Sequence, residues 1–264
     1  MVIKNSLLNE FEAFLSSIPL EQYRTELLSI KTVEQDLPKE LNPLLDIYQA
    51  YWTEEKTTFL TYDEFFDRWW TNHLKPLDRF ISQYFWGCSY NFVRQGFRAR
   101  LYRTLISVLT QFHFGYMWKA VCNLPLNASA ELDMKGIDAL VDCDGTKVAL
   151  QVKKETYRAE ARESGRFLQR MSQTGLVVEV PYTLSDPEQW EARMARARNE
   201  ESRYKYELFG FLATKFQRWL PNGFVVFTSQ YPQLLEKLIT NQVQQQASGI
   251  IGWQIVLEEL KTLL

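Results

Sequence analysis

Apolar residues recur every three or four positions through much of the first half of the chain, the spacing of amphipathic helices. The pattern predicts helices over 6–16 and 20–30, an aromatic-rich helix over 62–84 and a long helix over 91–121. The aromatic-rich helix offers as core candidates Phe65, Phe66, Trp69 and Trp70. The pattern of the long helix comprises Val93, Phe97, Leu101, Leu105, Val108 and Phe112. We therefore expect a largely helical N-terminal half.

After residue 125 the pattern changes to short, β-branched runs, which are typical of strands. These runs are IDALVDC, KVALQVK, LVVEVPY (176–182) and GFVVFTS (223–229). Helical spacing returns in the charged segment 186–219 and in 232–264, where the polar NQVQQQASG is predicted to be a surface loop. The fold class is therefore predicted to be α/β, with a mixed β-sheet flanked by helices. Because no repeat or obvious linker is seen, we expect one domain over 1–264, with a mainly helical part at 1–125 and the sheet at 126–264.

Composition is that of a folded globular protein, with 46% hydrophobic and 14% aromatic residues. The formal net charge of −2 argues mildly against a nucleic-acid binder, so the local distribution of charge matters more. Cys88, Cys122 and Cys143 lack zinc-site spacing and are predicted to be buried, reduced thiols of a cytoplasmic protein. We expect neither a signal peptide nor a membrane span, because the start carries acids and no long segment is uniformly apolar.

The segment GIDALVDCDGTKVALQVKK (136–154) predicts a hairpin around Asp144-Gly145, a pair that favours two-residue turns because both positions adopt positive φ. This turn places Asp138 directly opposite Gln151. Side chains alternate along a strand, so Lys153 shares the face of Gln151 while Lys154 points the other way. The reverse face is predicted to pack in the core through Ile137, Ala139, Val141, Val148, Leu150 and Val152.

Asp138, Gln151 and Lys153 together suit a hard divalent cation and a phosphate. Mg²⁺ prefers oxygen ligands, which the Asp138 carboxylate, the Gln151 amide and the Val152 backbone carbonyl could supply. Lys153 cannot bind the metal as an ammonium, but it could orient water or offset charge on a phosphate. An acid followed by (acid or Gln)-x-Lys on the next strand is the pattern of metal-dependent phosphodiester cleavage.

The glutamine at the second position removes one negative charge from this group. The metal is therefore expected to bind poorly until a DNA phosphate adds its oxygens. Asp133 or Glu131, just upstream, could compensate as an outer ligand, and Asp133 is the stronger candidate. The alternative is a hairpin whose solvent face carries ordinary polar side chains, and the bare pattern does not decide between the two.

A polyanion could bind along two basic stretches of the chain. No acidic residue occurs from 79 to 130, where Arg94 and Arg98 share one side of the long helix. A second row of arginines lies four residues apart over 158–170, although its intervening acids would also suit a salt-bridged, solvated helix. The candidate DNA-binding residues are therefore Arg94, Arg98, Arg158, Arg162 and Arg166. For the nearby aromatic residues we favour core packing over stacking on bases; these are Tyr84, Phe85, Trp86, Tyr90 and Tyr102.

Several short stretches carry a family resemblance and spread over most of the chain. They are IKTVEQDLP (30–38), ELNPL (40–44), YFWGCSY (84–90), ARLYRT (99–104), TQFHF (110–114), GIDAL (136–140), KKETYR (153–158), PYTL (181–184) and PNGF (221–224). In these stretches, taken in order, the chain resembles the TaqI-type restriction endonucleases of the PD-(D/E)xK nuclease group. The resemblance is weaker over about 200–220 and the last 35 residues.

This resemblance implies a restriction-endonuclease-like fold and a type II restriction endonuclease that acts as a homodimer with Mg²⁺. Such an enzyme would cut duplex DNA at the palindrome TCGA, between T and C, and leave 5′-phosphate ends. The family's essential acid corresponds to Asp138 and its upstream acid to Asp133, while its essential lysine corresponds to Lys153 or Lys154. A cognate DNA methyltransferase would protect the host genome. Two alternatives remain open, a structure-specific or repair nuclease of the same fold and a DNA-binding protein without catalysis.

Overall fold

The computed structural model describes residues 2–55, 58–155 and 175–264. Its helices are α1 (Val2–Ser17), α2 (Leu20–Leu27), α3 (Leu44–Tyr51), α4 (Tyr62–Asn72), α5 (Leu74–Tyr84), α6 (Tyr90–Val121), α7 (Ala130–Asp133), α8 (Pro187–Ala195), α9 (Glu200–Phe216), α10 (Gln230–Gln244) and α11 (Trp253–Thr262), with a 3₁₀ turn at Lys39–Leu41. Its strands are β1 (Leu126–Asn127), β2 (Ala139–Cys143), β3 (Thr146–Lys154), β4 (Leu176–Tyr182), β5 (Gln217–Trp219), β6 (Val225–Phe227) and β7 (Gly249–Ile251). The predicted α/β class, with a helical N-terminal half, is confirmed.

The main sheet is mixed, as predicted, with the strand order β1-β2-β3-β4-β7. β2 pairs antiparallel with both β1 and β3, whereas β3, β4 and β7 run parallel to one another. β5 and β6 form a separate antiparallel pair. β4 lies between β3 and β7, and every residue along it is buried except Glu179, which is only partly covered. An acid therefore interrupts an otherwise apolar, two-sided strand.

The contacts within the chain group into two compact units. One contains the main sheet and comprises the described residues of Met1–Leu8, His113–Trp219 and Val225–Leu264. The other is helical and comprises residues 9–112 and 220–224. The expectation of one domain over 1–264 stays a prediction.

The helical unit has an aromatic core. The ring centroids of Trp69 and Phe97 lie 5.8 Å apart, and those of Trp70 and Phe97 lie at the same distance. Phe65 and Phe66 are also almost fully buried. All four core candidates predicted for residues 62–84 are therefore confirmed.

Two predicted helices are each divided in the structure. The segment 62–84 breaks at His73, because Pro76 in the first turn of α5 has no N–H to continue the hydrogen bonding of α4. The segment 186–219 breaks after Ala195, and Asn199 then caps α9 by accepting a 2.7 Å hydrogen bond from the Ser202 N–H. The polar stretch 241–249 is not all loop, since α10 continues to Gln244 and β7 begins at Gly249.

Two expectations of burial are wrong near the start of α6. Trp86 is 92% exposed, and Tyr84 and Tyr90 are about half exposed, so these aromatic side chains are not core residues. Cys88 is also exposed, whereas Cys143 is buried as predicted. The reason is local: residues 85–89 form the turn between α5 and α6, where only Phe85 is partly covered. None of the described helices is long and apolar enough to cross a membrane.

Candidate active site

The predicted hairpin forms with the predicted register. Its ladder runs from Ala139 opposite Leu150 to Cys143 opposite Thr146. Asp144 has φ +51 and Gly145 φ +83, the positive values that a two-residue turn requires. A 3.0 Å hydrogen bond from the Gly145 N–H to Oδ1 of Asp142 braces the turn. The turn dipeptide thus fixes which residues of β2 and β3 face each other.

The ladder ends differently from the prediction at Asp138. The Asp138 N–H donates to the Leu150 carbonyl at 3.0 Å, although Ala139 is already the ladder partner of Leu150. Two residues of one strand therefore oppose one residue of the other, the arrangement of a β-bulge. A bulge shifts the alternation of side chains, and Ile137 accordingly packs with Ala149 and Val177. The expectation that Ile137 shares the face of Ala139 is wrong for this reason.

The bulge directs the Asp138 carboxylate along β3. Its Oδ2 accepts a 2.6 Å hydrogen bond from the Val152 N–H. Burial raises the pKa of Asp138 to about 8, and the negative charge of Asp133 contributes to the increase. The Val152 N–H and the Lys153 ammonium act in the opposite direction. Asp133, Asp138 and Lys153 are therefore close enough to influence one another electrostatically.

A short turn brings Asp133 towards Asp138. Asp133 ends α7, and its carbonyl accepts a 2.8 Å hydrogen bond from Gly136, while Ile137 donates to the Leu132 carbonyl at 3.0 Å. These two bonds form a Schellman motif, whose left-handed position Gly136 occupies with φ +80. The helix end and the start of the hairpin are thus joined within a few residues. Glu131, the weaker alternative to Asp133, is exposed.

Gln151 is buried, with 5% of its surface exposed. Its Nε2 donates to the carbonyl of Gly136 at 2.6 Å. Within the described ranges no donor is found for its Oε1, so this oxygen is the atom that the side chain offers to a ligand. The alternative of a fully solvated polar hairpin face does not describe this buried residue.

Glu179 on β4 is the site residue that sequence reasoning missed. The parallel register of β3 and β4 places it beside Gln151. Its Oε1 lies 2.6 Å from Nζ of Lys153, and its Oε2 accepts a 3.0 Å hydrogen bond from the N–H of Trp253, the first residue of α11. The signal was present as an acid in the middle of the apolar run LVVEVPY. Lys154, by contrast, is exposed and alternates to the other face of β3.

The donor set fits a divalent cation that prefers oxygen. The residues that could bind it are Asp138, Asp133 and Gln151, with the carbonyl of Val152 on the same strand as Gln151. The described residues contain no cluster of three or more His, Cys, Asp or Glu side chains.

The candidate DNA-binding arginines of α6 have partners in their own unit. Arg94 lies 2.5 Å from Asp67, and Arg98 contacts Asp63 at 2.7 Å and Glu26 at 3.2 Å. A DNA phosphate would compete with these carboxylates, so DNA contact by Arg94 and Arg98 stays a prediction. The other three candidates lie outside the described residues; they are Arg158, Arg162 and Arg166.

A mixed sheet with an acid at the end of one hairpin strand, and an amide and a lysine on the next, is typical of hydrolytic nucleases. The family model described as TaqI restriction endonuclease matches residues 8–239. The type II restriction enzyme TaqI of Thermus aquaticus is 50% identical over 258 residues, which cover 97% of this chain and 96% of the relative. The type II restriction enzyme TthHB8I of Thermus thermophilus is 49% identical with the same coverage. No solved structure gave a significant match.

The chain therefore belongs to the TaqI restriction endonuclease family. It is a restriction endonuclease, a hydrolase of a restriction system. The resemblance noted in the sequence is thereby confirmed, and it favours this activity over a repair nuclease or a protein without catalysis.

We expect Asp138→Asn to stabilise the metal-free protein. When folding raises the pKa of an acid, the protein loses stability as pH rises from the pKa of the unfolded state, near 4, to the pKa of the folded state, about 8. The asparagine can still accept the Val152 N–H but carries no charge. At pH 8 in EDTA its free energy of unfolding should exceed that of the wild type by about 1 kcal/mol or more, and the difference should shrink towards pH 4.

Asp142→Asn on the same hairpin is the matched control. The Lys147 ammonium and the Gly145 N–H lower the pKa of Asp142. Removing the Asp142 charge should therefore act in the opposite direction and cause a small loss of stability at pH 8. Thermal or urea unfolding across the pH range measures both variants. An Asp138→Asn protein no more stable than wild type at pH 8 would contradict the electrostatic description of this site.

Proposed function

We propose that this restriction endonuclease cuts duplex DNA at the palindrome TCGA, between T and C, and leaves 5′-phosphate ends with Mg²⁺ as cofactor. The supporting observation is the grouping of Asp138, Gln151 and Lys153 at the end of one hairpin. The chain that carries this group is 50% identical to a type II restriction enzyme. The site sequence and cut position follow from the family resemblance.

The proposed metal ligands are Asp138, Gln151 and the Val152 carbonyl, with Asp133 as an outer ligand. When bound, Mg²⁺ supplies Lewis-acid stabilisation of the phosphate and activation of water. The protein contributes two acids, Asp138 and Asp133, and burial together with the negative charge of Asp133 raises the pKa of Asp138 in the metal-free site. It also contributes an amide that adds an oxygen without a charge. We therefore expect weak metal affinity before DNA adds its phosphate oxygens.

Lys153 is the proposed catalytic lysine. Its ammonium is held by Glu179 on the face of β3 that also carries Gln151, where it can stabilise charge that develops on a phosphate. Lys154 lies on the opposite face and is exposed, so it is the weaker of the two candidates. Glu179 is proposed to act through Lys153 as a positioning residue, because its second oxygen is fixed by the backbone of α11.

The proposed partners are double-stranded DNA, a second copy of this chain and, functionally, a cognate DNA methyltransferase in the cytoplasm. A two-fold dimer suits a palindrome, because each subunit presents the same side chains to each half-site. In the same way, each subunit of such a dimer would present one active site to one of the two DNA strands.

Digestion of a sequenced plasmid tests this proposal directly. We expect discrete fragments whose ends all lie at TCGA, with 5′-phosphates and only in the presence of Mg²⁺. End sequencing reports the recognition sequence and the cut position together. Nicking at junctions or fragments without a common sequence would overturn the proposal.

Lys153→Ala and Lys154→Ala should separate the two candidate lysines. Loss of a charge that stabilises the transition state costs about 10²–10³-fold in rate, so Lys153→Ala should cut at least 100-fold more slowly while still binding DNA. Lys154→Ala should cut at a rate close to wild type. Single-turnover cleavage and gel-shift binding measure the two properties. The reverse ranking would show that the chosen lysine is wrong.

Glu179→Gln should lower kcat about 10- to 100-fold with little change in KM for DNA, the usual cost of losing a group that orients a catalytic residue. Glu207→Gln is the matched control, because it weakens a 2.8 Å ion pair with Lys261 in the same unit. In a Lys153→Ala background Glu179→Gln should have no further effect on rate. An equal loss in that background would mean that Glu179 acts independently of Lys153 and does not position it.

A further inference from the structure

A cluster of exposed aromatic side chains lies at the turn between α5 and α6, and we name residues 84–92 the aromatic turn. Trp86 is 92% exposed and Phe92 60%, and Tyr84 and Tyr90 are about half exposed. Single exposed apolar residues are ordinary, but several large ones in one short segment mark an interaction surface. The active site described above uses none of these residues.

The aromatic turn is held in shape by its own contacts. The Cys88 N–H donates to the Phe85 carbonyl at 3.0 Å, and Gly87 supplies the positive φ of +77 within this turn. Ser89 accepts from the Phe92 N–H at 3.2 Å at the start of α6. Tyr90 accepts a 2.8 Å hydrogen bond from Nε1 of Trp70. Trp86 is therefore displayed on an ordered backbone, which reduces the entropy lost on binding.

The charge of this surface favours a protein partner over DNA. Residues 80–93 include no Asp, Glu, Lys, Arg or His. The arginines on either side have acids of their own unit as partners, Arg79 with Glu40 at 2.6 Å and Arg94 with Asp67 at 2.5 Å. A segment without cations of its own, flanked by paired arginines, offers little to a phosphate backbone. The same neutrality removes like-charge repulsion when two identical surfaces meet.

A groove of about 370 Å³ is lined by several residues of the aromatic turn, although not by Trp86 itself. Its lining includes Tyr84, Phe85, Cys88, Phe92 and Val93. Lys31 and Glu34 also line it, and their opposite signs leave no net charge there. A projecting indole and an adjacent apolar groove on one surface make that surface self-complementary, which is the requirement of a two-fold interface.

We propose that the aromatic turn is the surface through which two copies of this chain associate, with Trp86 of each copy seated in the groove of the other. The inference rests on the proposed function, since a palindromic site calls for two symmetry-related subunits. It adds the location of the contact and the residue at its centre. Tryptophan in a well-packed pocket is a frequent centre of binding energy at such interfaces.

Sedimentation velocity of the wild type and of Trp86→Ala, alone and on a TCGA duplex in EDTA, tests this interface. We expect a wild-type dimer whose dissociation constant rises about 30-fold or more in Trp86→Ala. At a protein concentration low enough for both proteins to be monomeric, the melting temperature should not change, because this side chain packs on little of its own chain. Leu28→Ala is the control, an apolar residue of the helical unit that is 69% exposed and should leave the dimer unchanged.

Cys88 gives a second measurement on the unmodified chain. A short bis-maleimide should join two copies through this exposed thiol, and Cys88→Ser should abolish the product, because Cys143 is buried and Cys122 half-buried. Trp86→Ala should slow the crosslinking.

A wild type that is monomeric with and without DNA would overturn the interface, as would a Trp86→Ala protein that dimerises normally. A variant that remains dimeric but loses DNA affinity would assign the surface to DNA instead. Plasmid cleavage separates these outcomes from the proposed function: wild type that cuts at TCGA while Trp86→Ala stays dimeric refutes only the interface. Wild type that dimerises through Trp86 but never cuts refutes only the proposed function.

Discussion

The hydrogen bond from the Asp138 N–H to the Leu150 carbonyl is the contact on which the candidate site depends. It places Asp138 and Ala139 against one residue of β3 and so turns the acid out of the regular ladder. The carboxylate then meets the Val152 N–H instead of pointing into solvent. Without this bulge the acid would follow the ordinary alternation of the strand, and Ile137 would lose its place beside Ala149 and Val177.

Without a metal, the three acids around this bulge outnumber the single lysine. Burial disfavours the ionised form of Asp138, and the negative charge of Asp133 adds to that cost, so the metal-free site favours a protonated Asp138. Lys153 is close enough to offset part of the cost of ionising Asp138, but Glu179 already pairs with the Lys153 ammonium at 2.6 Å. Glu179 also connects β4 to the first residue of α11. The lysine is thereby tied to the sheet and to a helix, which is how a long, flexible side chain acquires one position.

Local chemistry made much of the sheet predictable. Asp144-Gly145 determined the hairpin turn and therefore the pairing of five residues on each strand. The bulge was not predictable, because it depends on the direction in which the backbone leaves the Schellman turn at Gly136 and enters β2. Glu179 was visible as a polar residue in an apolar run, but its partner required the parallel pairing of β3 with β4. That pairing joins segments on either side of residues 156–174, and no short-range rule predicts it.

In the helical half, too, features set by neighbouring residues were predictable, whereas contacts between residues far apart in the sequence were not. The aromatic core followed from helical spacing, and the break at His73 could have been inferred from Pro76. The partners of Arg94 and Arg98 could not, because their acids lie 27, 35 and 72 residues away in the chain. A run of arginines without nearby acids in sequence therefore indicated a free basic face that the fold partly neutralises.

A crystal structure with Ca²⁺ and an uncut TCGA duplex tests the central claim most directly. We expect one cation at about 2.3–2.6 Å from oxygens of both Asp138 and Gln151, with Nζ of Lys153 facing the scissile phosphate. A cation bound elsewhere, or a Gln151 side chain turned away from it, would show that the hairpin does not form the metal site.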